Sequence, residues 1–174
     1  LLATVPKVFD EQKMTPLFKK ADALIINGEG SIHHGRNKHL LDLAEKYPTA
    51  LMNCVYEENP PNESIKSLIF CTARESHSAK ALIAEGCKTL VVPDMIFASS
   101  MVRAFLKPEP TRDIGITDSV IKTYKKIGPF KKKILGDIKA HDITPAEYIT
   151  QLSQFKRICA GRFHAAVVCS IVGI

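Results

Sequence analysis

Short β-branched and apolar runs alternate along this chain with longer stretches of helical spacing, the pattern of parallel α/β units. Residues 23–27 (ALIIN) predict a buried strand. Residues 37–47 predict a helix with Leu40, Leu41, Leu43 and Ala44 on one side and Pro48 beyond its end. Further strands are expected at 49–55, 69–73 and 88–92, the last broken by Pro93. Between them, 59–62 with its two prolines predicts a loop, 64–68 a short helix, and 75–85 a helix closed by Gly86. The alternation resumes with strands at 113–117, 133–135 and 157–160 and a helix at 119–127. Thr144-Pro145-Ala146-Glu147 is a capping box with proline at the first helical position, so a helix starts there. Gly161 opens a final apolar helix.

Residues 106–112 (LKPEPTR) interrupt the pattern with two prolines and mixed charge, so they are expected to link a first domain, 1–105, to the start of a second, 113–174. At 174 residues with 45% apolar content, the chain has material for a packed core. It opens on Leu1-Leu2 and stops at Ile174 directly after an apolar run, and both ends are expected to be cut. No run approaches the roughly 20 apolar residues of a membrane span. The five cysteines are scattered and never in a CxxC, which argues against a disulfide framework or a zinc site and for a reducing, cytoplasmic compartment.

The formal net charge of +6 favours anionic partners. Much of the excess sits in Lys125-Lys126 and Lys131-Lys132-Lys133, which read as a solvated rim. Tyr124 and Phe130 beside them are too few for a nucleic-acid groove, so no nucleic acid is expected. The same runs suit a surface working beside an anionic membrane face.

The unusual side chains gather after strands, where open α/β sheets bind ligands. The first strand leads into Gly28-Glu29-Gly30-Ser31, the third into Arg74, the fourth into Asp94, and the last into Gly161-Arg162-Phe163-His164. The glycine turn matches neither a Walker A loop nor GxGxxG, but it brings backbone N–H groups within reach of an anion. Arg74 begins a helix, where its charge opposes the dipole unless an anion sits there too. Arg162 and His164 open a helix whose remaining residues are mostly apolar, which combines a cation, a helix N-terminus and an acid–base group. His33, His34 and Glu29 could suggest a metal, but adjacent histidines in a strand or helix point different ways and no further ligand pair has recognisable spacing, so no metal is expected.

In order and spacing these motifs resemble the polysaccharide pyruvyl transferases, from about Ala21 to the end: the glycine turn, Arg74-Glu75-Ser76 opening a helix that carries Leu82 and ends at Gly86, Pro93-Asp94 with Phe97, and GRFHAA. The resemblance implies two Rossmann-like halves of GT-B type, parallel sheets with flanking helices. It implies transfer of pyruvate from phosphoenolpyruvate to a sugar hydroxyl as a ketal, in the synthesis of exopolysaccharide or cell-surface glycan, with a sugar or lipid-linked oligosaccharide as acceptor and no cofactor. By the same resemblance Arg162 and His164 are the catalytic pair and Arg74 holds the donor. Gly28, Glu29, Gly30, Ser31 and Asp94 are expected at the substrate. The GEG turn departs from the three glycines of many relatives and places the Glu29 carboxylate near the anion, where it could contact a sugar hydroxyl. Two other readings remain open: a nucleotide-sugar glycosyltransferase of the same architecture, and a non-catalytic module that binds glycan or phosphate.

Overall fold

The computed structural model describes residues 1, 3–28, 32–105, 108–117, 133–135 and 143–174, with 133–135 as backbone only. They form parallel sheets flanked by helices in two compact units, Leu1–Asp94 and Met95–Ile174.

In the first unit the strands β1 (Leu24–Asn27), β2 (Thr49–Cys54), β3 (Phe70–Ala73) and β4 (Thr89–Val91) lie in sequence order, all parallel. The register sets the faces. Ile26, Leu51 and Cys71 are aligned on one face and Ile25, Ala50 and Phe70 on the other. The first face carries the core, where Leu40, Leu41, Ala44, Ile65, Ala79 and Leu82 from the connecting segments join it. Right-handed crossovers that always step the same way put their helices on the same side of a sheet, which accounts for this. On the second face Ile25 is 67% exposed. The expectation that 23–27 forms a buried strand is therefore corrected: β1 is an edge strand with only Ile26 buried.

The helix expected at 37–47 divides into a single turn, α2 (Lys38–Leu41), and a 3₁₀ turn at Asp42–Glu45. All four of Leu40, Leu41, Leu43 and Ala44 are buried. Leu40 and Leu41 come from the α-turn and Leu43 and Ala44 from the 3₁₀ turn, and the change of winding between them keeps both pairs inward. The segment at Glu63–Ser67 is likewise 3₁₀, capped by Asn62. Within this unit the sequence pattern missed α1 (Glu11–Phe18), which is capped by Asp10 and contains Pro16. Its Phe18 meets the rings of Phe9 and Tyr47 edge-on. The helix α3 (Ser76–Ala84) ends as expected at Gly86, whose φ is 94°.

The second unit holds a three-stranded parallel sheet with β5 (Arg112–Thr117) between β6 (Lys133–Leu135) and β7 (Phe155–Cys159). The short helix α4 (Ser100–Arg103), α5 (Pro145–Ser153) and α6 (Phe163–Val172) flank it. The capping box at Thr144 and Glu147 is formed. Val102 packs with Ile149, Leu152, Phe155 and Val168, so the segment before 106 belongs to this core. The proposed linker ends at a strand that begins with Arg112, while Leu106 and Lys107 lie outside the described residues. The last strand starts at Phe155 rather than 157, because Phe155 is 1% exposed and fills the space above Gly115. The helix expected at 119–127 also lies outside the described residues.

Candidate functional site

At the carboxyl edge of the first sheet, β3 and β4 leave together. Ala73 is level with Val91, and the Val92 N–H still donates to the Ala73 carbonyl. Arg74 therefore emerges beside the segment that leads to Asp94. The Arg74 guanidinium donates to the Asp94 carboxylate at 2.7 Å, with the two side chains 11% and 4% exposed. Glu75 is the N-cap of α3, and its carboxylate accepts from the N–H groups of His77 and Ser78 at 2.5 and 2.8 Å. Desolvation, the largest single influence, pulls the Glu75 carboxyl up. The hydrogen bonds from Ser78 and His77, with the His77 charge, outweigh it together and hold the group below its ordinary value. The conflict between a cation and the helix dipole at Arg74 is thus met by two carboxylates of the chain itself.

Gly28 has a packing reason to be glycine. A Cβ there would lie 3.0 Å from both the Cys54 Cβ and the Leu51 Cδ1. Its N–H donates to the Met52 carbonyl at 2.8 Å and so continues the sheet ladder. Glu29, Gly30 and Ser31 lie outside the described residues. A bulge in β2 places Asn53 at a φ of 56° and turns Cys54 into the core beneath Arg74, where burial pushes its thiol up to about 12 despite the nearby cation. Cys54 is accordingly a core thiol and not a nucleophile.

In the second unit the edge is built by β5, β7 and α6. Thr117, fully buried at the end of β5, accepts from the Gly161 N–H through its Oγ1 at 2.8 Å and so fixes the turn after β7. Arg162 follows as the N-cap of α6, with extended backbone and no side-chain cap. His164 lies in the first turn, half-buried, its ring edge-on to the exposed Phe163 at 5.2 Å. Ala165, Val167, Val168 and Cys169 bury the helix beyond it. The other described helices of eight residues or more are capped by the side chains of Asp10, Glu75 and Thr144. α6 alone among these has neither a capping side chain nor an acidic residue in its first turn. A bound anion is the complement of such an end, with Arg162 to reinforce it.

The structure thus pairs Arg74 with Asp94 in one unit and places Arg162 and His164 at the start of α6 in the other. His33 and His34 stack edge-on, and His34 pairs with Glu58 at 2.7 Å. Among the described residues no group of three His, Cys, Asp or Glu side chains is placed to hold a metal ion, and no helix is long and apolar enough to cross a membrane. Sequence reasoning passed over Asn59 and Asn62, which organise the loops after β1 and β2. A polar side chain directly before an acidic helical start was the available signal for Asn62.

One family model, described as polysaccharide pyruvyl transferase, matches residues 4–174 and so takes in α1 as well as the motifs from Ala21 onward. No curated protein and no solved structure gives a significant match.

Proposed function

The chain belongs to the polysaccharide pyruvyl transferase family, and from that premise we propose that it transfers pyruvate from phosphoenolpyruvate to a sugar as a ketal. The acceptor is a sugar or lipid-linked oligosaccharide of exopolysaccharide or cell-surface glycan synthesis, reached in the cytoplasm. The reading includes the GT-B type of construction from two Rossmann-like halves.

The observation that carries it is the start of α6, an apolar helix whose N-terminus has no side-chain cap and bears Arg162 and His164. Phosphoenolpyruvate brings a phosphate and a carboxylate, and a helix N-terminus with an arginine suits either. His164 donates a proton to the methylene carbon, which becomes the methyl group. Positive charge then develops at the adjacent carbon, and one sugar hydroxyl adds there. A second hydroxyl displaces phosphate, which leaves with the second hydroxyl proton. One donor and one diol give one ketal and one phosphate. Fixed positive groups at the leaving phosphate are the main source of rate in such a step.

Arg74 is proposed as a substrate-binding cation of the first unit. Asp94 acts as its positioning residue, since the carboxylate already accepts from the guanidinium. The proton of the first hydroxyl restores His164, and Glu29 is proposed as a substrate-binding carboxylate.

The test is release of phosphate from phosphoenolpyruvate in the presence of a panel of hexosides. Sugar-dependent release that is lost in Arg162→Ala supports the reading. Absence of release with every sugar, together with tight binding of a nucleotide sugar, would replace it by a glycosyltransferase. Binding of phosphoenolpyruvate and glycan without release would leave a binding module.

A further inference from the structure

The loops that leave β1 and β2 border a small cavity whose lining includes Ile32, Arg36, Lys38, Tyr56, Asn59 and Asn62. Its volume is about 10 Å³, against the roughly 10–15 Å³ that one buried water needs. It therefore admits a single oxygen-sized group.

The hydrogen-bonding capacity around the cavity is nearly all committed. Asn59 fastens the first loop with both ends of its amide: Nδ2 donates to the Ile32 carbonyl at 3.1 Å, and Oδ1 accepts from the Gly35 N–H at 3.0 Å. The Tyr56 hydroxyl donates to Glu85 at 2.8 Å, and the same carboxylate accepts from the Asn62 N–H at 3.0 Å. Burial, then the Glu85 hydrogen bond, pushes the Tyr56 hydroxyl up, so it stays protonated. Lys38 donates to Asp42 at 2.7 Å. Asn62 accepts from the Ser64 N–H through Oδ1, which fixes the orientation of its amide. Its Nδ2 is what remains. Asn62 is 6% exposed, and among the described residues this nitrogen has no hydrogen-bond partner.

A buried donor without an acceptor is costly, and native proteins rarely keep one without a use. Arg36, an exposed residue whose guanidinium is also a donor, lines the same cavity, while the Lys38 ammonium there is held by Asp42. A buried amide donor together with a guanidinium on the cavity wall suits an acceptor oxygen carrying negative charge.

We propose that this cavity binds an anionic oxygen, of a carboxylate or a phosphate, borne by the acceptor saccharide, with Asn62 Nδ2 and Arg36 as its donors. The assignment to the acceptor rests on the transferase reading; the anion preference does not. The site would make the protein select acidic or phosphorylated acceptors over neutral ones.

Calorimetric titration with glucuronate, glucose 1-phosphate and glucose tests this on the protein, Asn62→Asp and Arg36→Gln. Asn62→Asp keeps an oxygen for the Ser64 N–H and replaces the donor by a carboxylate, and its melting is measured beside that of the parent. Arg36→Gln alters an exposed side chain and serves as the second variant. The expected result is binding of glucuronate or glucose 1-phosphate but not glucose, weakened roughly tenfold or more in both variants. Glucuronate alone would name a uronate, and glucose 1-phosphate alone a phosphorylated acceptor. Equal binding of glucose, binding unchanged in Asn62→Asp, no binding of either anion, or displacement of the anion by phosphoenolpyruvate would overturn the proposal. Variant-sensitive anion binding without phosphate release from phosphoenolpyruvate would leave the anion site standing and remove the transferase reading instead.

Discussion

Replacing Asp94 with Asn isolates the Arg74–Asp94 pair. The change keeps the shape of the side chain and removes its charge. Arg74 and Asp94 are 11% and 4% exposed, so the guanidinium would lose this carboxylate in a place that water hardly reaches. Losing one partner of a buried pair typically costs about 3–5 kcal/mol. The Asn oxygen still accepts a hydrogen bond and Arg74 keeps some access to solvent, which puts the expected loss near about 3 kcal/mol. With a urea slope of about 1–3 kcal/mol per molar for a small protein, the midpoint should fall by about 1–3 M. The chain has no tryptophan, so the transition is followed by circular dichroism and by tyrosine fluorescence, for which Tyr47 and Tyr56 report on the first unit. Replacing both residues together, Arg74→Met with Asp94→Leu, should cost less than Asp94→Asn alone, because apolar side chains of similar volume often replace a buried pair without loss. A midpoint shift under about 0.3 M, or a double variant no more stable than the single one, would refute the reasoning.

Other outcomes follow from the same geometry. Gly115→Ala would place a Cβ 2.6 Å from the Ile158 Cδ1 and 2.9 Å from the ring of Phe155. Overpacking of that kind costs about 1–3 kcal/mol, and an unchanged melting temperature would show that β5 and β7 can part there. The folded-state pKa of Glu75 lies below its ordinary 4.5. Its carboxylate therefore contributes stability above that value, which is lost as pH falls through the folded value. Glu75→Gln should lose stability less steeply on acidification, and an identical slope would discard the capping account. His164→Ala should retain its fold and lower turnover by about 10²–10⁴-fold, the usual contribution of a general acid; unchanged turnover would end that role.

The strands were legible because parallel sheets need short apolar runs, and β2, β3 and β5 fall within a residue or two of their expected places. The helix at Glu11–Phe18 was not, since Pro16 and a polar first turn hide it and its packing rests on aromatic rings from residues far apart in sequence. The division of 37–47 was hidden for another reason: four apolar positions in five fit an α-helix as well as a 3₁₀ turn, and only the sheet beneath decides. For the candidate site, sequence spacing brought Arg74 and Asp94 to one edge but could not pair them. The pairing depends on the level of β3 against β4, which no local pattern encodes. Arg162 and His164 were readable because glycine, arginine and histidine directly precede an apolar helix. Asn62 stayed unread since its oxygen serves an ordinary cap, and only burial shows that its nitrogen is unanswered.

The bulge in β2 has an evolutionary side. Three residue steps separate Leu51 from Cys54 where two separate their partners Cys71 and Ala73, and both Leu51 and Cys54 are fully buried. The surplus is taken up at Asn53, in the left-handed region. A lineage that lost Asn53 would regain a regular strand with Leu51 and Cys54 still facing the core, because side chains two apart share a face. Length variation among relatives should therefore gather at this residue, while the apolar positions on either side stay in step.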